Sequence, residues 1–531
     1  MEGAAVVKSM GKWRAVQFAG VMLCVLIYAQ RLSVPTDMLA PLHRRVGGGG
    51  DDHEEEKDGG AVGLDNQVGS PAAVFLGSPR VGVADGDDDV VGPVVVLDNQ
   101  VGSPCSSMPA HSICCDRSDE NADVCFMAGD VRTDAKSLSL LLFPPPPAPG
   151  ATITVQEERI RPYTRKWENK TMATIHEVRL RAARPEDEAA GNRCDVQHGA
   201  PVHVVTGAGG YNGGNYFHAF NDGFLPSWLT VQHLRRRVVL GVLAYDPAWA
   251  ARYAEVIAGL SDHPVVDLLA DNRTHCFPGA IVGTRFHGYL AVDPARLRDN
   301  KTVVDFHAFL AAAYGSPSSS SSQGGGDGEP AETSHHRHHQ RRRPRLGIVS
   351  RGGTRVIENE AAVARLAESV GFDIEILPAT KATAPPLAVT HAAVSAMDAL
   401  LGVHGSDLTS FLFLRPGRGA ALVQVAPLGI ADLARGVFGA PAKRMGLRYE
   451  QYDVRASESS LSRVYAPDDV VLADPERARL RQGSSGDDWD WDFIGRVYIN
   501  DQNVSLDLAR FAETLARVHS WLLEQQDIVS S

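Results

Sequence analysis

The 531-residue sequence predicts an α/β fold in two lobes, each built around a mostly parallel sheet. Short apolar runs typical of buried strands alternate with longer helical patterns from Ala151 towards the C-terminus. A Ser-, Gly- and His-rich stretch at residues 315–343 interrupts that alternation, as an exposed linker or surface insertion would. We therefore expect an N-terminal lobe at residues 111–314 and a C-terminal lobe at residues 344–531.

Composition indicates a large globular core and argues against one class of partner. Hydrophobic residues make up 44% and charged residues 22% of the chain, and the formal net charge is −12. Much of the acidity lies in residues 51–58 and 85–89, outside the predicted lobes. Because the basic footprint of a nucleic-acid-binding protein is missing, we expect no nucleic acid as a partner.

The first 30 residues have the order of a signal anchor. Basic residues lie in the tail 1–14, and the apolar residues 15–30 follow without a small-x-small cleavage site. The run is shorter than the ~20 residues of a typical spanning helix, but Trp13 and Tyr28 suit the two membrane interfaces. We expect a single-pass membrane protein with a cytosolic N-terminus and a luminal remainder.

The segment that follows, residues 31–110, is predicted to be a disordered luminal stem. It is largely rich in Gly, Asp, Ser and Pro and cannot bury enough apolar surface to offset the entropy of ordering. The octapeptide LDNQVGSP occurs twice in it, at residues 64–71 and 97–104. Two copies indicate a duplication and not a solenoid, which needs three or more units.

Cysteines and sequons both indicate a secretory chain. Cys24 lies in the anchor, and the spacing of the other six cysteines fits no zinc pattern. We expect disulfides within the stretch Cys105–Cys125, with the pairing left open. Asn-x-Ser/Thr sequons predict glycosylation at Asn169, Asn272, Asn300 and Asn503.

The first lobe contains a strand, a Gly-rich loop and a helix in succession. Residues 201–206 read as a buried strand, residues 207–215 as the loop, and residues 216–233 as a helix kinked at Pro226. The loop has neither the G-x-G-x-x-G register nor a P-loop Lys, so a carbohydrate-facing loop is as consistent with it as a nucleotide site. Further strands are expected at residues 152–156, 174–181, 237–244, 265–269 and 280–282, and helices at 247–260 and 301–314.

The second lobe brings cationic residues to strand ends. The strand Arg345–Ser350 opens onto Arg351 and Arg355, and the strand Ala399–Val403 opens onto His404. Ligands of open α/β sheets bind at the carboxyl ends of strands, and two guanidinium groups there would suit a diphosphate. An ordinary pair of surface arginines is the alternative interpretation.

The turn after His404 is predicted to start a short helix. Gly405 lets the backbone approach a ligand, and Ser406 or Asp407 would cap the helix, whose free N–H groups attract anions. An ordinary strand-to-helix turn would have the same sequence. The lobe continues with helices at residues 358–370 and 390–397, strands at 372–377, 420–425 and 495–499, and a last helix from Asp507 that is a candidate to pack back on the first lobe.

Two clusters have the side chains of a metal site without its spacing. His335–His339 lie in low-complexity sequence, and the acids of residues 487–492 alternate with two tryptophans. Both are better interpreted as solvated segments, and we expect no metal site.

Together these residues resemble plant members of glycosyltransferase family 61, especially the grass enzymes that decorate xylan. The resemblance runs from Cys115 to the C-terminus and includes many ordered motifs. They are Arg117-Ser118-Asp119, Cys125, Gly129-Asp130-Val131-Arg132, Ile160-Arg161-Pro162-Tyr163, Asn215-Tyr216-Phe217-His218, Phe220-Asn221-Asp222, Arg285-Phe286-His287-Gly288-Tyr289, Ser350-Arg351, Thr354-Arg355, His404-Gly405-Ser406-Asp407-Leu408-Thr409 and Asp501-Gln502-Asn503-Val504.

The resemblance implies a GT-B fold of two Rossmann-like lobes in a type II Golgi membrane protein. It implies an inverting, metal-independent transfer from a UDP-sugar, which is a substrate, with no cofactor. The donor would bind the second lobe, its diphosphate near Arg351, Arg355 and the turn 404–407. The acceptor would lie near His218 and Asp222, one of which would serve as general base.

The sequence also departs from the family pattern. Ala219 stands where the family usually has Asp, Gly352 where it usually has Lys, and Ser410 where it often has Asn. We therefore keep two alternatives to a pentosyltransferase that acts on xylan in cell-wall synthesis. One is an inactive member that serves as a scaffold in a Golgi complex, and the other is a transferase that acts on N-glycans. The donor stays open between UDP-arabinofuranose and UDP-xylose.

Overall fold

The computed structural model describes residues 97–143, 157–189, 193–207, 215–315, 342–379, 386–417, 419–480 and 489–530. The predicted anchor, most of the stem, the Gly-rich loop and most of the linker lie outside these residues, as does the predicted strand 152–156. Within the described ranges, no helix combines the length and apolar character that a bilayer-spanning segment requires. The chain is mixed α/β, with two separate sheets.

The first sheet has ten strands and is mixed. Its order is β4-β5-β3-β2-β10-β7-β8-β9, with β1 on β2 and β6 on β10. The strands are β1 Ser112–Asp116, β2 Val124–Asp134, β3 Ser139–Phe143, β4 Glu157–Ile160, β5 Val178–Ala182, β6 Val196–Gln197, β7 Val202–Thr206, β8 Val239–Leu243, β9 Val266–Asp267 and β10 His275–Val282.

The expectation of a mostly parallel sheet is therefore confirmed for only part of the first lobe. The pairs β10–β7, β7–β8 and β8–β9 are parallel, as the strand–helix alternation predicts. However, β2 pairs antiparallel with β1, β3 and β10. β1, β2 and β3 precede the alternating region and pair in succession, whereas the other partner of β2, β10, comes about 150 residues later.

The second sheet is parallel throughout, as predicted. Its order is β12-β11-β13-β14-β15, and the strands are β11 Arg345–Ser350, β12 Asp373–Pro378, β13 Ala399–Val403, β14 Ala421–Ala426 and β15 Arg448–Asp453. The first strand in sequence, β11, lies between the second and the third. The order of strands thus reverses direction at β11, and the carboxyl edge beside such a switch point is where open α/β sheets bind ligands.

The helices largely follow the predicted segments. The α-helices are Asn169–Met172, Pro185–Ala189, Tyr216–His218, Leu225–Val231, Pro247–Arg252, Ala254–Leu260, Val303–Tyr314, Glu360–Val370, Leu387–Ser395, Ala431–Ala434, Ala440–Arg444, Val470–Ala473, Pro475–Ala478, Trp491–Phe493 and Leu508–Ser530. The π-helices are Ala219–Phe224, Arg435–Gly439 and Ile494–Asn500, and the 3₁₀ helices are Gln232–Leu234, Pro294–Arg296, Ser406–Phe413, Ala456–Glu458 and Ser460–Arg463.

Two helices differ from the sequence expectations in type or position. The segment Ile494–Asn500 is a π-helix and not a strand. Its buried residues Ile494, Val497 and Tyr498 are three and four positions apart, which is a helical spacing. The last helix, Leu508–Ser530, lies against the helix Glu360–Val370 and β15, so it joins the core of the second sheet.

The end of the predicted stem lies against the first lobe. The Arg285 guanidinium is buried and donates to Asp98 Oδ2 and Asp116 Oδ2, each at 2.7 Å. Asn99 donates to Asp299 at 3.0 Å, and Val101 N–H donates to the Arg296 carbonyl at 2.9 Å. The folded part of the chain therefore includes residues 97–110, because the second LDNQVGSP copy supplies partners for buried polar groups.

Disulfides close this region, as the cysteine pattern predicts. Cys105 pairs with Cys114, Cys115 with Cys125, and Cys194 with Cys276. Cys115 and Cys125 face each other in the register of β1 and β2. The first two disulfides lie within the expected stretch, and the third ties the segment before β6 to β10.

Candidate active site

Residues 216–231 form a helix, the site helix, that is buried on nearly every side. Asn215 begins it, since its Oδ1 accepts from the N–H groups of Phe217 and His218 at 2.9 and 3.3 Å. The helix widens into a π-helix at Ala219–Phe224, a distortion that often marks functional positions. His218 and Asp222 are four positions apart, so they lie on one face of the helix.

His218 and Asp222 form a buried pair. His218 Nδ1 lies 2.5 Å from Asp222 Oδ2, and Asn221 Nδ2 donates to Asp222 Oδ1 at 2.6 Å. A carboxylate at Nδ1 favours the tautomer with its proton there, which leaves the lone pair of a neutral ring on Nε2. The two residues predicted as alternative bases therefore form one hydrogen-bonded pair, in which Asp222 orients the His218 ring.

Arg165 contacts both members of this pair. Its Nη2 lies 2.9 Å from Asp222 Oδ2 and 3.4 Å from His218 Nδ1, and its Nε lies 3.2 Å from Glu168 Oε1. Burial lowers the pKa of Arg165, but the carboxylate of Asp222 and its other neighbours outweigh burial and raise the pKa well above its usual value. A permanent cation thus lies beside Asp222.

Glu168 and two tyrosines complete the surroundings of Arg165. Burial raises the pKa of Glu168 against the opposing effect of Arg165, and Tyr163 donates to Glu168 Oε2 at 2.5 Å. Burial also raises the pKa of Tyr289 to about 12. The Tyr289 ring centroid is 5.8 Å from the Arg165 guanidinium carbon. These groups fix the position of Arg165, whose side chain reaches the pocket described below.

The second half of the site lies at the switch point of the parallel sheet. Arg351 follows β11 and His404 follows β13. The two strands pair in parallel, with Leu346 opposite Ala399, so their carboxyl ends lie side by side. A Cβ atom at Gly405 would lie 2.8 Å from both Arg351 Nη1 and Arg355 Nη1. Glycine is required here because its φ is 155° and two guanidinium groups approach its Cα.

The charges at this turn are partly compensated. Arg351 forms an ion pair with Asp407, and both side chains are buried. Arg355 is 1% exposed, and burial lowers its pKa to about 10 with Asp407 opposing, so it stays a cation at neutral pH. Two cations and one carboxylate leave a net positive charge beside Gly405, which suits an anionic group.

Neither Ser406 nor Asp407 caps the helix that follows. The segment Ser406–Phe413 is a 3₁₀ helix that begins after Gly405 without a side-chain cap. Asp407 instead holds Arg351, as described above. The predicted cap is therefore wrong. The Asp407 carboxylate pairs with Arg351 instead, because two guanidinium groups lie at this turn.

His404 is oriented from behind by polar side chains of the sheet. Gln424 Nε2 lies 2.8 Å from His404 Nδ1, and the Tyr449 hydroxyl lies 2.8 Å from Gln424 Oε1. With Nδ1 accepting from the amide, the ring proton of neutral His404 is on Nε2. His404 can then donate a hydrogen bond to a negatively charged oxygen.

One pocket is lined by residues of both halves of the site. Phe217 of the site helix and Phe438 meet across it with ring centroids 5.6 Å apart. His218 and Asp222 contact its lining residue Arg165, and Arg351 and Arg355 lie beside its lining residue Gly405. The wall itself is formed by Arg165, Phe217, Tyr289, His404, Gly405, Ser406, Leu433, Val437, Phe438 and Trp491.

Sequence reasoning missed several residues of this site. Arg165 lies in a polar stretch without periodicity, and its partner Asp222 is 57 residues away. Gln424 lies inside an apolar strand, where a single buried amide is itself a signal. Trp491 was assigned to a solvated segment, although alternation of Asp with Trp is unusual for one.

The remaining predicted site residues are the sequons. Asn169, Asn272 and Asn300 are exposed. Asn503 is half-buried, and its side-chain oxygen accepts from Val356 N–H at 3.0 Å. In the described part of the chain, no group of three or more His, Cys, Asp or Glu residues is placed to hold a metal ion. Metal independence stays a prediction.

Comparison with known proteins assigns the family. Residues 216–421 match the family model described as Glycosyltransferase 61, and this segment contains the two halves of the site from His218 to Asp407. The chain is 37% identical over 411 residues to xylan glycosyltransferase MUCI21 of Arabidopsis thaliana, covering 77% of this chain and 80% of that protein.

Two rice proteins are also similar. The chain is 33% identical over 422 residues to beta-1,2-xylosyltransferase XYXT1 of Oryza sativa subsp. japonica, covering 77% of this chain and 84% of the relative. It is 30% identical over 402 residues to alpha-1,3-arabinosyltransferase XAT3 of the same organism, covering 76% and 64%. With these likenesses extending over most of its length, the chain belongs to glycosyltransferase family 61.

Proposed function

We propose that the protein transfers a pentose, arabinofuranose or xylose, from a UDP-sugar to xylan with inversion and without a metal ion. One observation carries the proposal. One pocket is lined by Arg165, which contacts the His218–Asp222 pair, and by His404 and Gly405, beside which Arg351 and Arg355 lie. The relatives named as xylan, xylosyl and arabinosyl transferases support the choice of acceptor and sugar class.

The two halves divide the reaction between them. His218 Nε2 would take the proton from an acceptor hydroxyl as its oxygen bonds to the anomeric carbon of the donor. The bond from that carbon to UDP breaks, and Arg351, Arg355 and His404 Nε2–H would stabilise the charge left on UDP. One displacement inverts the configuration, and the two guanidinium groups supply the positive charge that the leaving group needs.

We further propose a GT-B arrangement in a type II Golgi membrane protein. This arrangement is supported by two α/β lobes, each with its own sheet, that both contribute residues to one pocket. The disulfides, the exposed sequons and the basic-then-apolar N-terminus support a luminal catalytic part. The acceptor polysaccharide and other proteins of a Golgi complex would then be the partners.

Transfer assays test this function directly. The full chain, produced in a eukaryotic secretory host, is incubated with xylo-oligosaccharides and each UDP-pentose in turn, with a chelator present. We expect one pentose mass increment from one donor. Transfer only after addition of a divalent cation would contradict metal independence, and transfer to an N-glycan alone would contradict the acceptor.

Removal of Arg351 tests the leaving-group role. Arg351→Ala should lower kcat at least a hundredfold, because a preorganised cation at a developing charge is worth that much or more. The measurement is kcat with saturating donor and acceptor, together with a thermal melt that shows a folded chain. Wild-type turnover in a folded variant would refute the assignment.

The inactive-scaffold alternative rests on Ala219 and Gly352. Ala219 is fully buried in the core and takes no part in the His218–Asp222 contact. The His218–Asp222 pair therefore forms without a carboxylate at position 219. A Cβ at Gly352 would meet nothing within 4 Å, so close packing does not explain the glycine at this position. UDP binding without transfer from any donor would favour the scaffold.

A further inference from the structure

The pocket has an aromatic wall that the proposed transfer chemistry does not use. Trp491 lines it together with Phe217 and Tyr289, and the last two are stacked with ring centroids 6.3 Å apart. Phe438 closes the same space. Indole and phenyl rings neither take the acceptor proton nor neutralise UDP, so their concentration here needs another explanation.

Trp491 is held firmly in place. Its ring centroid lies 5.1 Å from that of Trp489, and the Arg479 guanidinium carbon lies 4.6 Å from the Trp489 centroid. Arg479 is buried and donates to the Gly429 carbonyl at 2.8 Å. Asp490 N–H donates to the Arg479 carbonyl at 2.8 Å, which fixes the chain between the two tryptophans.

An exposed ion pair links Asp492, the residue after Trp491, to Lys170 of the first lobe. Lys170 Nζ lies 2.7 Å from Asp492 Oδ2, and the two side chains are 81% and 82% exposed. Exposed pairs of this kind contribute little stability and open readily. Lys170 and Asp492 each lie close in sequence to a residue that lines the pocket, Arg165 and Trp491 respectively.

We propose that Trp491 is a stacking platform for the xylan acceptor, at the sugar next to the one that receives the pentose. This inference rests on the proposed function. A β-linked xylopyranose has no hydroxymethyl group and carries its hydroxyls in the ring plane, so both faces expose only C–H groups. An aromatic face buries such a surface without requiring hydrogen bonds, and a half-buried, rigid indole does so at low entropic cost.

Direct binding tests the platform without requiring catalysis. Isothermal titration of xylohexaose into the full chain with UDP present gives the acceptor Kd, and titration of UDP alone gives the donor-side Kd. Trp491→Ala should weaken xylohexaose binding roughly tenfold to thirtyfold with UDP affinity unchanged. Trp491→Phe should retain part of the affinity, because a smaller aromatic face remains.

Trp521 provides the matched control. It lies on the last helix, where it packs with the core of the second sheet. Its ring centroid lies 5.6 Å from the Arg448 guanidinium carbon. Trp521→Phe should leave both affinities unchanged. Cellohexaose, which carries a hydroxymethyl group on each ring, should bind the wild type more weakly than xylohexaose does.

The outcomes separate the platform from the transferase. Loss of xylohexaose affinity in Trp491→Ala supports the platform even where the wild type transfers no pentose, a result that would refute the proposed function alone. Unchanged xylohexaose affinity, or a loss of UDP affinity instead, overturns the platform even where transfer proceeds. A wild-type chain that does not bind xylohexaose also overturns it.

Discussion

At the scale of single residues, the position of one proton decides the chemistry of the site. Asp222 Oδ2 accepts from His218 Nδ1–H and from Arg165 Nη2–H, so the basic nitrogen of a neutral His218 is Nε2. His218→Ala should lower kcat by about 10² to 10⁴. Asp222→Asn should also lower kcat, because an amide can stabilise the wrong tautomer. Turnover at saturating substrates is the measurement.

The exposed His176 supplies a control for these variants. His176→Ala should keep wild-type kcat, and thermal melts should show that all three variants fold. A fully active His218→Ala enzyme would show that the base lies elsewhere.

Gly405 carries a second prediction at this scale. Gly405→Ala places a methyl group 2.8 Å from Arg351 Nη1 and from Arg355 Nη1, so both guanidinium groups must move. We expect a rise in donor KM of about tenfold or more, with a smaller effect on acceptor KM. Steady-state kinetics with each substrate varied in turn separates the two.

Gly352 is the matched control for Gly405. It follows Arg351 directly, and a Cβ there meets nothing within 4 Å. Gly352→Ala should leave donor KM unchanged. Equal effects of the two substitutions would show that chain stiffness at these turns matters more than the guanidinium positions.

At the scale of elements, a buried imidazole in the middle of β7 links stability to pH. His203 is fully buried, and burial lowers its pKa to about 4 from an ordinary value of 6.5. As the pH falls, the unfolded chain binds the proton first, so stability is present above pH 6.5 and is lost as the pH falls towards 4. The full loss is about 3 kcal/mol.

His203→Leu should flatten this part of the profile. Chemical denaturation at pH 7.5, 6 and 5 gives the free energy of unfolding of each chain. The wild type should lose more stability on acidification than the variant does, and His176→Leu, at an exposed position, should behave as wild type. Parallel profiles for wild type and His203→Leu would contradict the prediction.

Element by element, the sequence predicted what is local and missed what is distant. The strands Arg345–Ser350 and Ala399–Val403 match their predicted bounds, because each is a continuous apolar run with polar or glycine residues at its end. Residues 112–143 were not assigned as strands, and β2 is completed by β10, whose residues lie about 150 positions later. No short window contains such a partner.

The same limit applies to the site. Arg351, Arg355 and His404 could be placed together because parallel strands end at one edge. Arg165 and Trp491 could not, because each reaches the pocket through a turn or short helix whose direction depends on packing. The sequence therefore identified Asp222 as a candidate but not its partner Arg165, which is brought beside it only by the fold.

At the scale of the whole molecule, the repeated octapeptide offers a matched test. The copy at residues 97–104 supplies Asp98 to buried Arg285 and Asn99 to Asp299, whereas the identical copy at residues 64–71 lies outside the described residues. Deleting residues 97–104 should lower the melting temperature by several degrees, because half of a buried ion-pair network is lost.

Deletion of residues 64–71 removes the same eight side chains and should leave the melting temperature unchanged. Secreted yield and a thermal melt of both full-length deletion variants are the measurements. Equal losses from the two deletions, or no loss from either, would contradict the role of the second copy.

The placement of β2 in the first sheet has a consequence for synthesis of the chain. β1 and β3 occupy one edge of β2 in succession, and β10 occupies the other. On the ribosome, that second edge stays without its native partner until residues 275–282 emerge, an exposure that favours aggregation. The disulfides Cys105–Cys114 and Cys115–Cys125 can close long before then. Early oxidation would therefore hold the β1–β2 hairpin in register while the rest of its sheet is being made.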